Sequence, residues 1–282
     1  MNRFCSALLL VLFSCAIGQY SNAAVVWTSI DVPGSTLTAA FKINAAGHVV
    51  GYYSDSNNRY HGFLLQSNGF TTIDFPGAVD TYAYGINDQD EIVGSYIKNG
   101  GVVHGFRMEG SNFRTIDYPG AMITQAYGVN NAGVVVGTVR PQTGPGPVGF
   151  ELIGDTYSVI NPPGSLQTLV FDINNEGDVV GCTEFDGFVY DDGDFGPRIH
   201  MGQTEFTCAY GVNDPRQIVG SAIAERGLGR GFRYFHAAYV SIIYPGALAT
   251  QASSINLNGD VVGVYEDTNL KQRGFLRTHG TD

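Results

Sequence analysis

The chain has 282 residues, 44% of them apolar and 15% charged, with 26 Asp and Glu against 15 Lys and Arg for a formal net charge of -11. Sparse charge with ample apolar content excludes a disordered chain. The anionic balance excludes a protein built to neutralise nucleic-acid phosphates or to sit on an anionic membrane surface.

From the N-terminus, Arg3 precedes an apolar run over residues 4–17 and the small-residue site Ser21-Asn22-Ala23-Ala24. That is the layout of a secretory signal peptide, with cleavage expected after Ala23. The run is too short to span a bilayer comfortably. A rival reading makes Cys15 a lipid-modified cysteine, although Phe13 fits that box poorly. Residues 24–282 are then expected as one secreted or periplasmic domain, a monomer without a membrane span.

Residues 25–32 form the first predicted strand, and a repeat begins after it. Asparagines recur at Asn44, Asn87, Asn130, Asn174, Asn213 and Asn256, at spacings of 43, 43, 44, 39 and 43. Seven residues after each stands a glycine, from Gly51 to Gly263, and further on a Gly-Phe pair, from Gly62-Phe63 to Gly274-Phe275. An Ile-Asp-x-Pro-Gly phrase is intact at 30–34, 73–77 and 116–120 and degrades in later units. In the second unit, four short runs alternate apolar and polar residues, at 81–87, 91–96, 102–108 and 113–118. Period-two runs with tight turns are antiparallel strands, and four strands in about 43 residues make a propeller blade. The last unit supplies only three runs, at 252–257, 260–265 and 274–278. The strand at 25–32 is expected to complete it. The sequence therefore predicts an all-β, closed six-bladed propeller of four-stranded blades.

These phrases resemble the extracellular HAF repeat family, whose units carry an "IN…G.vvG…hAF" pattern. Here His-Gly-Phe stands at 61–63 and 104–106, and the His is absent from the other four units. The resemblance implies a secreted repeat protein and brings no catalytic residues with it.

What recurs in every unit is scaffold. The asparagines end inner strands and start turns, the glycines permit close packing, and the Gly-Phe aromatics wedge between blades. After signal cleavage two cysteines remain, Cys182 and Cys208. In an oxidising compartment such a pair invites a disulfide, and the alternative is two buried thiols. The repeat register, which puts both on the same blade face, weighs against a bridge without deciding it.

Function is sought where the units differ. Acidic residues vary near one mouth, and Asp80, Glu205, Glu184 and Asp186 are candidate ligands for calcium, a cation that takes six to eight oxygens. The residue before Gly-Phe reads His61, His104, Val148, Asp186, Arg230 and Arg273. His61 and His104 are candidate general bases, and Arg230 and Arg273 a candidate substrate clamp. Together they suggest a metal-assisted hydrolase of a small ester or lactone at the channel mouth. The alternative is a non-catalytic module binding a sugar or other small ligand. Neither a P-loop nor a dinucleotide fingerprint is present, so no nucleotide cofactor is expected.

Overall fold

A computed structural model describes residues 24–202, 204, 206–223 and 229–279. The expected signal segment, residues 1–23, lies outside the described residues. The protein is an all-β propeller, with 24 strands among the described residues.

Strand β1 is Val25–Ile30. The first repeat holds β2 (Leu37–Ile43), β3 (Val49–Ser54), β4 (Tyr60–Gln66) and β5 (Gly69–Ile73). The second holds β6 (Asp80–Ile86), β7 (Ile92–Ile97), β8 (Val103–Glu109) and β9 (Asn112–Ile116). The third comprises β10 (Ala121–Val129), β11 (Val135–Pro141), β12 (Val148–Ile153) and β13 (Thr156–Ile160). In the fourth are β14 (Leu169–Ile173), β15 (Val179–Cys182), β16 (Gly187–Asp191) and β17 (Asp194–Phe195). The fifth has β18 (Phe206–Val212), β19 (Ile218–Ile223), β20 (Gly229–Phe235) and β21 (Ala238–Ile242). The sixth has β22 (Ala249–Ile255), β23 (Val261–Glu266) and β24 (Gln272–His279), and β1 pairs antiparallel with β24 over six residues. Among the described residues no helix is long and apolar enough to cross a membrane.

The expectation of six separate four-stranded blades needs one correction. Four sheets have four strands each, but the second and third repeats share one eight-stranded sheet. The link is a single parallel pairing, Ile123 with Val103, made by β10. At nine residues β10 is longer than the inner strands of the other repeats, and its N-terminal extension reaches β8 across a bulge.

The core lies between neighbouring repeats. Phe63, Phe106, Phe150, Phe188, Phe232 and Phe275 are each buried in a separate apolar cluster. Each cluster also takes a valine from the preceding repeat: Val262, Val50, Val93, Val136, Val180 and Val219 in turn. The glycine after that valine is needed by its own sheet. A Cβ on Gly51 would stand 2.0 Å from the Ala39 carbonyl oxygen and 2.8 Å from the Phe63 ring.

A threonine six residues before each ring asparagine ties outer strand to inner strand. The backbone N–H groups of Val32, Phe75, Tyr118, Met201 and Tyr244 donate to Thr38, Thr81, Thr124, Thr207 and Thr250 at 3.0–3.1 Å. In the third repeat Pro162 has no N–H to give, and Thr168 instead donates to Asn161 Oδ1.

The six asparagines close a hydrogen-bonded ring. Each Nδ2 donates to the carbonyl of the next, from Asn44 to Asn87 and on to Asn256, which returns to Asn44, at 3.0–3.3 Å. Each Oδ1 accepts the N–H four residues later in its own turn, as Asn130 does from Val134.

Cys182 and Cys208 form a disulfide, with Cα atoms 5.0 Å apart. Of the two readings the sequence left open, the bridge is the one observed, against the register argument. Flat, parallel sheets would hold two same-face thiols apart, but propeller sheets twist. The fourth and fifth repeats close together here, where Thr207 N–H donates to the Phe185 carbonyl at 2.9 Å. The separation falls in the range that a disulfide spans.

Candidate functional site

The inner strands run toward the asparagine ring, so the ring marks one face. The starts of those strands, with the second-to-third loops, mark the other, here the mouth face. The axis between them is filled. Phe41, Tyr84, Tyr127, Phe171 and Tyr210 stand one per repeat, three residues before the ring asparagine, with centroids 4.7–5.2 Å apart. Ser253 holds the sixth position. Below them, Lys42 Nζ forms an ion pair with Asp172, whose carboxylate also accepts N–H bonds from Ile173 and Val212.

The described residues singled out in the sequence lie mainly on the mouth face, and all but Arg230 are engaged within their own neighbourhoods. His61 Nδ1 lies 2.8 Å from Asp74 and its ring stacks on Tyr53. His104 repeats the arrangement with Asp117 at 2.9 Å and Tyr96. Asp186 mirrors it with the charges exchanged, bonding His200 at 2.7 Å and Arg198 at 3.0 Å. Arg273 pairs with Asp31 and with Asp267. These contacts share one register, because the residue before Gly-Phe faces the Asp position of Ile-Asp-x-Pro-Gly on the next strand. Arg230 is exposed, and its corresponding outer residue is Ile243.

The acidic residues are also locally occupied. Asp80 Oδ1 accepts the Tyr60 N–H at 2.9 Å. Glu184 accepts the N–H groups of Leu166 and Gln167. Burial pushes the Glu184 carboxyl up, but the backbone N–H groups of Glu184, Gln167 and Leu166 outweigh it and hold it below its ordinary value. Asp55 caps its own loop, taking N–H bonds from Asn57 and Arg59 at 2.8 and 2.9 Å. Glu205 lies outside the described residues. Among the described residues no group of three or more His, Cys, Asp or Glu side chains is placed to hold a metal ion.

What the structure brings together on the mouth face is aromatic. Tyr60 and Tyr82 stack with centroids 5.2 Å apart, and Tyr52 packs edge-on to Tyr82 at 5.0 Å. Tyr82 in turn stacks over Tyr84 of the axial ring. Burial first, then the Asp80 charge, drives the Tyr82 phenol far above its ordinary pKa. Burial and Tyr60 raise that of Tyr52. The Tyr52 and Tyr82 phenols therefore stay neutral hydrogen-bonding groups. The sequence offered one sign of this cluster: the inner-strand run Tyr82-Ala83-Tyr84.

No family model matches the chain, and no curated protein matches it. Solved structures do. A mutant of AofleA from Arthrobotrys oligospora is 11% identical at a TM-score of 0.58, over 92% of this chain and 93% of that one. A mutant of Aleuria aurantia lectin in complex with Fucα1-6GlcNAc is 10% identical at 0.52, over 88% and 93%. TolB from Acinetobacter baumannii is 10% identical at 0.56, over 83% and 64%. At such identities the likeness shows the propeller fold alone.

Proposed function

We propose that this protein is a secreted, non-catalytic carbohydrate-binding propeller of the HAF-repeat type, with its sugar site at the mouth of the first and second repeats. We count six blades, taking the eight-stranded sheet as two. Six interface clusters and six ring asparagines support that count.

The observation that carries the binding reading is the Tyr52, Tyr60 and Tyr82 cluster beside Asp80. Amphipathic aromatic faces with phenol hydroxyls and one carboxylate suit a polyol, which presents both C–H faces and hydroxyl groups. One structural neighbour adds weight: the Aleuria aurantia lectin mutant, solved in complex with Fucα1-6GlcNAc. The hydrolase reading has less support. His61 and His104 lie in different repeats, each beside an Asp of its own repeat, and Asp80 and Glu184 are engaged with backbone N–H groups.

Isothermal titration of the mature chain against a glycan panel that includes α-methyl-L-fucoside tests the reading. Binding that falls at least tenfold in both Tyr60→Ala and Tyr82→Ala is the expected result, a loss of about 1.4 kcal/mol. Calcium-dependent turnover of a lactone or p-nitrophenyl ester, abolished by His61→Ala, would overturn it and restore the hydrolase.

A further inference from the structure

Arg216 occupies a turn position that glycine fills in most repeats. The third residue after each ring asparagine is Gly47, Asp90, Gly133, Gly177, Arg216 and Gly259, and all six have positive φ. Arg216 has φ 62°, a conformation free for glycine and strained for a long side chain. Its guanidinium reaches back to the fourth repeat and pairs with Asp178 and Asp191. Asp178 is almost fully buried and also accepts Asn174 Nδ2 at 2.8 Å.

Beside this bridge a cavity of 520 Å³ opens between the fourth and fifth repeats, on the ring face and away from the tyrosine mouth. Its cause is local. β17 has two residues, where β5, β9, β13 and β21 have five. Gly196-Pro197 follows it, and Pro197 has no N–H for the ladder. Pairing stops at Gly196 N–H to Val189 O, 2.9 Å, and resumes at the Gly187–Ile199 bridge. Phe195 and Tyr234 line the opening, with Phe235 and His236, whose rings stack at 3.8 Å.

The charge at the rim is one-sided. The single positive charge of Arg216 is shared between two carboxylates. Asp194, also lining the cavity, bridges to no cation among the described residues. Three carboxylates against one guanidinium disfavour an anion, while aromatic faces and carboxylates both attract a cation.

We infer that this cleft is a second ligand site, independent of the carbohydrate reading, that takes an organic cation with an apolar body: an amine or quaternary ammonium carrying a ring or alkyl chain. The body fills the space beside Phe195 and Tyr234, and the charge lies toward Asp191 and Asp194.

Benzyltrimethylammonium and benzoate, similar in size and opposite in charge, are the probes, titrated calorimetrically into the mature chain at low salt. The cation is expected to bind at least about tenfold more tightly than benzoate, the tenfold step being about 1.4 kcal/mol. Tyr234→Ala and Asp194→Asn each weaken the cation. Arg216→Gly places glycine where four equivalent turns already hold it and leaves Asp178 and Asp191 uncompensated, so the cation binds more tightly. No binding of the cation, equal binding of the two probes, or cation affinity unchanged in both Tyr234→Ala and Asp194→Asn overturns the inference. Asp194→Asn changes one exposed side chain, so it reports on the site even where another variant fails to fold. Sugar binding at the mouth, measured in the same variants, is expected to stay unchanged.

Discussion

Lys42 and Asp172 meet across the propeller axis, joining the inner strand of the first repeat to that of the fourth. Both stand two residues before a ring asparagine, where Gly85, Gly128, Gly211 and Ser254 fill the other places. The Asp172 side chain is 1% exposed. Burial raises its pKa, and Lys42 with the Val212 and Ile173 N–H groups works against that rise. Removing one partner of a buried pair leaves an uncompensated charge, which costs about 3–5 kcal/mol. Lys42→Met is therefore expected to lower the urea midpoint strongly at pH 7. The unpaired Asp172 then has a folded pKa above its unfolded value, so the penalty shrinks as pH falls and the carboxyl protonates. Lys42→Met with Asp172→Asn removes the buried charge, keeps one of the two N–H bonds through its single amide oxygen, and should recover part of the loss. A double variant as unstable as the single one contradicts this account.

The fold was legible because it is written six times. Strands expected at 81–87, 91–96, 102–108 and 113–118 are observed as Asp80–Ile86, Ile92–Ile97, Val103–Glu109 and Asn112–Ile116. Ring closure by asparagine was not legible, since a turn-forming Asn and a ring-forming Asn look alike in sequence. The recurring threonine was equally visible in the sequence, but only the structure gives its partner in the Pro-Gly turn. Pairing between repeats is the harder case. Lys42 and Asp172 are 130 positions apart and occur once each, so no periodicity reports them. The disulfide was not legible, because register gives the face of a sheet and not its twist. The partners of His61 and His104 could have been found, since Asp74 and Asp117 recur thirteen residues later in the same phrase.

The asparagine ring makes a second stability prediction. Asn130 Nδ2 donates to the Asn174 carbonyl at 3.2 Å, and its Oδ1 accepts N–H groups from Ala132 and Val134 at 3.1 Å each. Asn130→Ala removes the partner of all three groups, of which the Asn174 carbonyl is buried, a loss of about 1–3 kcal/mol. Asn130→Asp keeps the two acceptor bonds, loses the donor and aims a negative charge at a carbonyl. Both variants are expected to lower the thermal midpoint. A midpoint unchanged in both would show that the ring contributes nothing to stability.

Reduction should weaken the protein measurably. The Cys182–Cys208 bridge closes a loop with a sequence separation of 26. Chain-entropy arguments put the stabilisation from such a loop at about 3–4 kcal/mol. Cys182→Ser with Cys208→Ser, or the wild type in dithiothreitol, should unfold at lower urea than the oxidised protein. Since the bridge joins the fourth and fifth repeats, amide exchange should rise first in β15 and β18.

Acid should destabilise the molecule. Arg59 N–H and Asn57 hold Asp55 low against burial, and Lys271 N–H, Arg273 and Asn269 do the same for Asp267. At Asp178 and Glu184 burial is the largest influence and pushes upward. It is outweighed by Arg216 and Asn174 at the first, and by backbone N–H groups at the second. A carboxyl whose folded pKa lies below its unfolded value contributes stability above that unfolded value, about 4, and loses it as pH falls through the folded one. Urea midpoints should be nearly flat from pH 6 to 8 and fall steeply below pH 4. Glu184→Gln retains an acceptor without a titrating group, so it should flatten the acid slope. An unchanged slope would remove Glu184 from the set.

Closure through β1 can be followed by Trp27, the sole tryptophan of the chain. Its ring lies 5.4 Å from both Tyr244 and Phe275, in the interface between the fifth and sixth repeats. Three residues on, Ile30 is 3% exposed and packs with Phe63 and Val262, in the interface between the sixth and first. One six-residue strand thus seals two interfaces, so its release should not be a local event. Trp emission and far-UV circular dichroism are expected to shift at the same denaturant concentration. Ile30→Ala, which removes buried methyl groups at a cost of about 2–5 kcal/mol, should move both midpoints together. A chain lacking residues 24–32 should lose the cooperative transition, because β24 then exposes an unpaired edge beside two opened cores. A Trp transition well ahead of the circular dichroism signal would show instead that β1 frays from a propeller stable without it.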